Sequence, residues 1–273
     1  MRYRLLLCSE ADIASVNIRN ALTASAEWEG DGKLLFRDDT VMMSIPEMHI
    51  RAENVDGTAK AAGLDIKEMV FLSRHKAASG IPTLTVHPIG NFRDAEFGGR
   101  SGTLVKASPR TMTELLRNLM SADTGRYRAS FEVTHHGPWV GIPATFIEIG
   151  SDETQWNDTD AAKMIAKAIL DLKDNDHVNA IGIGGGHYAP RFTEVAQKYK
   201  INIGHMVPEY AFRDSDDEDL ARMISGSANN SDTKLAYVHK RSMKAETARR
   251  VISVVGSCGL EAIGSEDLDV IEN

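Results

Sequence analysis

HVNAIGIGGGHYAPRFTEVAQKYKINIGHMV, residues 177–207, joins an apolar run ending in glycines, a segment of helical pattern opened by Pro190, and a second apolar run. Strand, helix, strand in that order implies parallel strands linked by a crossover helix. The alternation continues outward: residues 153–173, 215–226 and 242–255 read as helices, several opened by Asp, Ser or Pro, and KLAYVHK (234–240) as a strand. In the first half YRLLLCS (3–9), TVMMSI (40–45), EMVFLSRH (68–75), PTLTVHP (82–88), ASFEVTHHG (129–137) and ATFIEIGS (144–151) read as strands. KLLFR (33–37) is separated from TVMMSI only by Asp38 and Asp39, which predicts a hairpin and hence a mixed sheet. The expectation is an α/β fold, a mixed, mostly parallel sheet with helices on both faces. With no internal repeat and no low-complexity linker, residues 1–273 read as one catalytic domain. The stretch from Gly90 to Gly102 reads as a surface loop or flap.

With 273 residues, 42% of them hydrophobic, the chain can bury a sizeable core. No apolar run approaches a membrane span, and the one in MRYRLLLCSEADIAS is too short for a signal peptide, so a cytoplasmic location is expected. Cys8 and Cys258 lie at opposite ends, which gives neither a disulfide framework nor a thiolate zinc knot. Any metal must be held by His, Asp or Glu. The formal charge of −8 argues against a general nucleic-acid binder such as a DNA-coating protein. Two local patches run the other way: residues 93–128 hold seven basic and four acidic side chains (Asp123 among the acids), and residues 234–250 six basic against Glu246. Each patch is either a docking surface for RNA or an ordinary charged surface. RDSDDED (213–219) reads as a solvated helix start whose acids suit the helix dipole.

In open α/β sheets ligands collect at the carboxyl ends of strands. Six of the nine histidines fall at or near such ends: His75, His87, His135, His136, His187 and His205, with Glu209 just beyond the last. A lone histidine there is more often structural; six together are less easily dismissed. If the strand continues through His135 and His136, their side chains alternate and the two have separate jobs. Glu148, between Ile147 and Ile149, is a carboxylate in an apolar strand, which is costly unless paired, hydrogen-bonded or metal-bound. Glu132 in SFEVT shares the pattern, with the simpler explanation of an edge or half-exposed strand.

The glycine run fails as a dinucleotide fingerprint, because His187 holds the third glycine position, and as a P-loop, because no lysine follows. Its backbone can still let a group approach closely, and the start of the next helix favours an anion. A phosphate or carboxylate beside His187 and Tyr188 and a ligand-free tight turn both remain open. HExxH, GxSxG and EF-hand patterns are absent.

SRHKAASGIPTLTVHPIGNF, SFEVTHHGP, FIEIGSDETQW, GIGGGHYAPRFTE and GHMVPEYAF, in this order, resemble the archaeal and plant type of D-aminoacyl-tRNA deacylase. The resemblance implies a three-layer α/β/α fold like that of peptidyl-tRNA hydrolases and the phosphorylase/hydrolase group. It implies hydrolysis of the ester between a D-amino acid and the terminal ribose of tRNA, dependent on Zn2+, by an enzyme that can act as a monomer. It departs from the family where Trp139 follows HHGP in place of Thr, and where a His-Thr-Pro-Gly-Asn-Trp run reads HPIGNF. Trp139 either stacks on a terminal base or fills a gap.

On this resemblance His136, His187 and Glu148 are expected to carry the catalysis. His135, His205 and Glu209 are expected to hold the metal. Gly184, Gly185, Gly186, Tyr188, Arg191, His75, His87 and Asn91 are expected to bind substrate, the glycine amides taking an oxyanion or a terminal phosphate. The rivals are cleavage of a peptidyl-tRNA or amino-acid ester, a non-catalytic tRNA-binding module, and a nucleoside or phosphate-binding enzyme on the same fold.

Overall fold

A computed structural model describes residues 1–122 and 125–272, so Asp123 of the first basic patch lies outside the described residues. The strands are β1 (Tyr3–Ser9), β2 (Glu29–Gly30), β3 (Leu34–Arg37), β4 (Thr40–Ile45), β5 (Ile66–Arg74), β6 (Thr83–Pro88), β7 (Arg128–Phe131), β8 (Ala144–Gly150), β9 (Val178–Ile183), β10 (Ile201–Val207), β11 (Leu235–Val238) and β12 (Glu261–Ile263). The helices are α1 (Ile13–Ser25), α2 (Val55–Ala61), α3 (Pro109–Ala122), α4 (Glu153–Trp156), α5 (Thr159–Leu170), α6 (Pro190–Lys198), α7 (Glu209–Phe212), α8 (Asp217–Asn230) and α9 (Ala245–Ser257).

The α/β reading holds, but the strands divide between two sheets. One has eight strands in the order β2-β3-β4-β1-β5-β8-β6-β7, the other four in the order β10-β9-β11-β12. In the larger sheet β4, β1, β5 and β8 run parallel and β6 antiparallel to β8, while the β3–β4 hairpin closes through Asp38 at φ 50°. The smaller sheet is parallel throughout. Alternation along β1 assigns its side chains to different cores. Leu6 and Cys8 pack under α1, α3 and α5, a core that continues to Ala180 and Ile203 of the smaller sheet, whereas Leu5 and Leu7 face α2 with Phe71 and Phe146. Among the described residues this second face carries α2 and the short 3-10 turn His49–Arg51, which leave room for a cavity.

Of the helices that escaped the sequence reading, α1 and α3 are the longest. In α1 Ala14, Ile18 and Leu22 repeat every fourth residue, and the Asp12 side chain caps its first turn by accepting from the amides of Ala14 and Ser15. In α3 Met112, Leu115, Leu116 and Leu119 form a buried stripe within a polar-looking segment. The helix expected over 153–173 breaks at Asn157, because Asp158 starts a new one by accepting from the Asp160 amide. No helix of the described residues is long and apolar enough to cross a membrane.

Candidate functional site

Register in the larger sheet builds the floor of the site. Phe71 pairs with Phe146 and Phe146 with His87, so the three rings form one row across β5, β8 and β6; Ser73, Glu148 and Thr85 form the next. Phe71 stacks on Phe146 at 4.6 Å between centroids, and Phe146 on His87 at 5.1 Å. These flat contacts fix the imidazole of His87 beside Glu148, with Nε2 3.6 Å from the carboxylate. Just past β5, His75 lies with Nδ1 3.6 Å from Glu148 and 3.2 Å from Glu132, and its Nε2 2.8 Å from the Tyr188 hydroxyl.

The strand through SFEVTHHG stops at Phe131, so the alternation expected for His135 and His136 does not apply. His136 adopts a left-handed backbone, φ 40°, a strained state for a residue with a Cβ. Both imidazoles consequently enter the same cluster, 4.4 Å apart between centroids. The turn is possible because Gly98 and Gly99 cross directly over Gly137, where a Cβ would meet their backbone at 2.1 to 2.6 Å.

Three of these rings share one hydrogen-bonding pattern. Nδ1 of His87, His135 and His136 lies 3.1, 2.7 and 2.6 Å from the carbonyl oxygens of Pro88, Val133 and Gly137. A carbonyl only accepts, so each ring carries a proton on Nδ1; burial leaves Nε2 of His135 and His136 unprotonated, whereas at His87 the Glu148 carboxylate outweighs burial and raises the pKa. One nitrogen from each ring lies within 4.8 Å of one from each of the other two, and the buried Nε2 of His87 has no hydrogen-bond partner, the Glu148 carboxylate standing 3.6 Å away. Burial and then the neighbouring His87 keep the pKa of His135 well below its usual value and that of His136 down to about 4. Glu148 is held at about 2: burial raises it, but His87 beside it outweighs that.

Glu132 is the hub that the sequence reading discounted. It is fully buried, its two carboxylate oxygens make no hydrogen bond, and it faces His187 Nε2 at 3.0 Å, His75 at 3.2 Å and His135 at 3.5 Å. The signal was there: Glu132 lies between Phe131 and Val133 as Glu148 lies between isoleucines. Orphaned oxygens of a buried carboxylate, facing imidazole nitrogens, are what a bound cation or a shared proton would satisfy. The donor set, imidazole and carboxylate, suits zinc.

Two of the expected metal ligands lie elsewhere. His205 is buried with both ring nitrogens engaged, Nδ1 3.0 Å from the Thr134 hydroxyl and Nε2 2.8 Å from the Val105 carbonyl, so it has no lone pair to offer. Glu209 opens α7, its amide bonded to the Gly185 carbonyl and its carboxylate 3.9 Å from Arg213. Neither joins the groups among the described residues that could hold a metal. The glycine loop is also largely committed. Gly184 (φ 106°) donates to the Val207 carbonyl and Gly185 (φ 81°) to the Ser242 hydroxyl, which removes two of the three amides expected to hold an anion. Arg191 turns to Tyr237, Ser265 and Glu194 in a separate crevice. Asn91 ties down the flap by donating to the carbonyls of Gly98 and Arg100. Trp139, partly buried, packs against the edge of the second core, with the Arg100 guanidinium 3.5 Å over its ring.

Burial has a second consequence at His205, whose pKa is pushed down to about 4. Between pH 6.5 and 4 the unfolded chain binds a proton there that the native state refuses, so stability falls as pH falls through that window. The expected contribution of this residue is on the order of 3 kcal/mol. His135 and His136, also depressed, add to the decline, so urea unfolding across that range should show it and His205→Gln should make it shallower; an unchanged slope would remove His205 as a contributor.

The cluster opens into a cavity of about 860 Å³ lined by His49, Arg51, Arg74, His75, Lys76, Phe97, His135, His136, Glu148 and His187, among others. Arg74 is braced over the Trp156 ring at 4.8 Å.

The D-aminoacyl-tRNA deacylase family model matches residues 62–263. A D-aminoacyl-tRNA deacylase of Methanosarcina mazei is 34% identical over 284 aligned positions, covering 96% of this chain and 92% of its own. One of Archaeoglobus fulgidus is 32% identical over 273 positions, covering 96% of each chain. The crystal structure of a conserved protein of unknown function superposes with a TM-score of 0.87 at 31% identity over 99% of both chains. A chain with this histidine–glutamate centre, matched along nearly its whole length, belongs to the D-aminoacyl-tRNA deacylase family.

Proposed function

We propose that the histidine–glutamate cluster hydrolyses the ester of D-aminoacyl-tRNA, releasing the D-amino acid and reusable tRNA, with residues 1–273 acting as one catalytic unit. The observation that carries this is the buried, unbonded carboxylate of Glu132 among His75, His135 and His187.

His87, His135 and His136 would hold a zinc ion through Nε2, each ring oriented by its backbone carbonyl. Bound there, zinc supplies Lewis acidity, which polarises an ester carbonyl or acidifies nearby water. His187 moves the proton. It is 39% exposed, towards the cavity, while Nε2 rests against Glu132, so Nδ1 is the edge that meets water. The ring takes a proton from the attacking water, and the imidazolium so formed is stabilised by the Glu132 carboxylate. As the acyl–oxygen bond breaks, the same ring returns the proton to the departing ribose oxygen. His75, held between Tyr188, Glu132 and Glu148, keeps the two carboxylates apart and ordered. Arg51, Arg74 and Lys76 at the cavity wall suit the phosphates of the tRNA end. The site of action is the cytoplasm, where charged tRNA is, and every residue of the cluster comes from one chain, so a monomer suffices.

The test is discharge of D- and L-tyrosyl-tRNA by the purified chain, with and without chelator. The D-ester should be cleaved at least about 100-fold faster, the discrimination a site that pairs polar groups can reach, and chelation should stop it reversibly. Equal rates on the two esters would favour a general aminoacyl or peptidyl ester hydrolase instead.

A further inference from the structure

His135 and His136 are shared by two cavities. Besides the larger one, a second of about 290 Å³ reaches the same two rings, lined by Phe92, Asp94, Glu96, Phe97 and Tyr210 among others. Phe97 lines both. The two differ in chemistry. The larger brings Arg51, Arg74 and Lys76 to its wall, whereas the smaller joins the aromatic rings of Phe92, Phe97 and Tyr210 to the carboxylates of Asp94 and Glu96. Its one cation, Arg93, is already committed to the Ala211 carbonyl and the Ser215 hydroxyl. Tyr210 and Phe97 are 53% and 65% exposed, unusual for large rings beside a reacting centre unless something packs on them.

An aminoacyl-tRNA has the same polarity: phosphates on one side of the ester, and on the other an α-ammonium carrying a side chain. We infer that the smaller cavity is the amino-acid subsite, in which Asp94 and Glu96 attract the α-ammonium and Phe92, Phe97 and Tyr210 pack on the side chain. The inference rests on the reading of the cluster as an ester-hydrolysing centre. The substrate then lies across His135 and His136, its nucleotide end in the basic cavity and its ester between the two. Pockets of this size, apolar with a few placed polar groups, suit a small organic moiety. The flap that crosses Gly137 and the short helix α7 after β10 wall the subsite, so side-chain range can vary without disturbing the cluster.

The experiment measures kcat/KM on D-tyrosyl-tRNA, D-alanyl-tRNA and N-acetyl-D-tyrosyl-tRNA. Tyr210→Ala in α7 and Phe97→Ala in the flap, both at exposed positions, should each lower kcat/KM for the tyrosyl ester about 10- to 100-fold, a value typical of a lost apolar contact. For the alanyl ester the fall should be smaller than about 3-fold. The pair Asp94→Asn with Glu96→Gln should raise KM for the free-amino ester about 3- to 5-fold, in keeping with exposed charge pairs, and leave the acetylated one, which has no ammonium, far less affected. Equal losses on the tyrosyl and alanyl esters, or equal effects on free and acetylated substrates, overturn the subsite. His187→Ala run alongside separates the two readings: it should silence every substrate, and a fully active His187→Ala would overturn the catalytic centre itself.

Discussion

His135→Ala should leave a folded protein that neither retains zinc through purification nor discharges D-tyrosyl-tRNA, with turnover down by about 10³-fold or more. The ring lies at the crossing of two ligand groups, one with His87 and His136 and one with Glu132 and His187, so no neighbour can take its place. The expected loss corresponds to the several kcal/mol that a Lewis acid contributes to a charged transition state. Metal content by elemental analysis gives a readout independent of activity. His135 is partly exposed at the cavity rim rather than embedded in a core, so truncation there should lower the melting temperature little. A variant with full zinc and normal turnover would remove this ring from the site.

Glu132→Gln should reduce turnover by about 10²- to 10⁴-fold, the range of a lost proton-transfer partner. The change is isosteric, but it removes the charge that stabilises imidazolium at His187. Because the two residues act as one unit, Glu132→Gln combined with His187→Ala should lose scarcely more than either alone. The rate at neutral pH should fall while KM stays near the wild-type value. Full additivity in the double variant would separate Glu132 from His187 and leave it a purely structural group.

What the sequence reveals and what it hides follow from the range of the interactions involved. Strand–helix alternation and the β3–β4 hairpin are local patterns, and they were legible. So was the gathering of His75, His87, His135, His136 and His187, because strand ends are readable and the carboxyl-end rule is general. The division into two sheets was not, since β9 and β10 carry the same apolar signature whichever sheet they join. Helices α1 and α3 were missed because polar residues interrupt their apolar stripes. His205 had the same strand-end address as the others, yet contacts with Val105 and Thr134, far off in sequence, engage both its nitrogens. The joint orientation of His135 and His136 depends on a single left-handed backbone angle at His136, beyond any reading of periodicity. Glu132 and Glu148 carried equal sequence signals; an edge-strand explanation hid the one that touches three histidines. The glycine run, attractive as an anion cradle, is a junction whose amides hold β10 and the segment after β11 in place.

The central claim is that this cluster hydrolyses D-aminoacyl-tRNA. The measurement closest to it is single-turnover discharge of D- and L-tyrosyl-tRNA by wild-type and Glu132→Gln proteins of matched folding and concentration. The wild type should clear the D-ester and spare the L-ester, and the variant should clear neither. A Glu132→Gln protein that cleaves the D-ester at the wild-type rate would contradict the account.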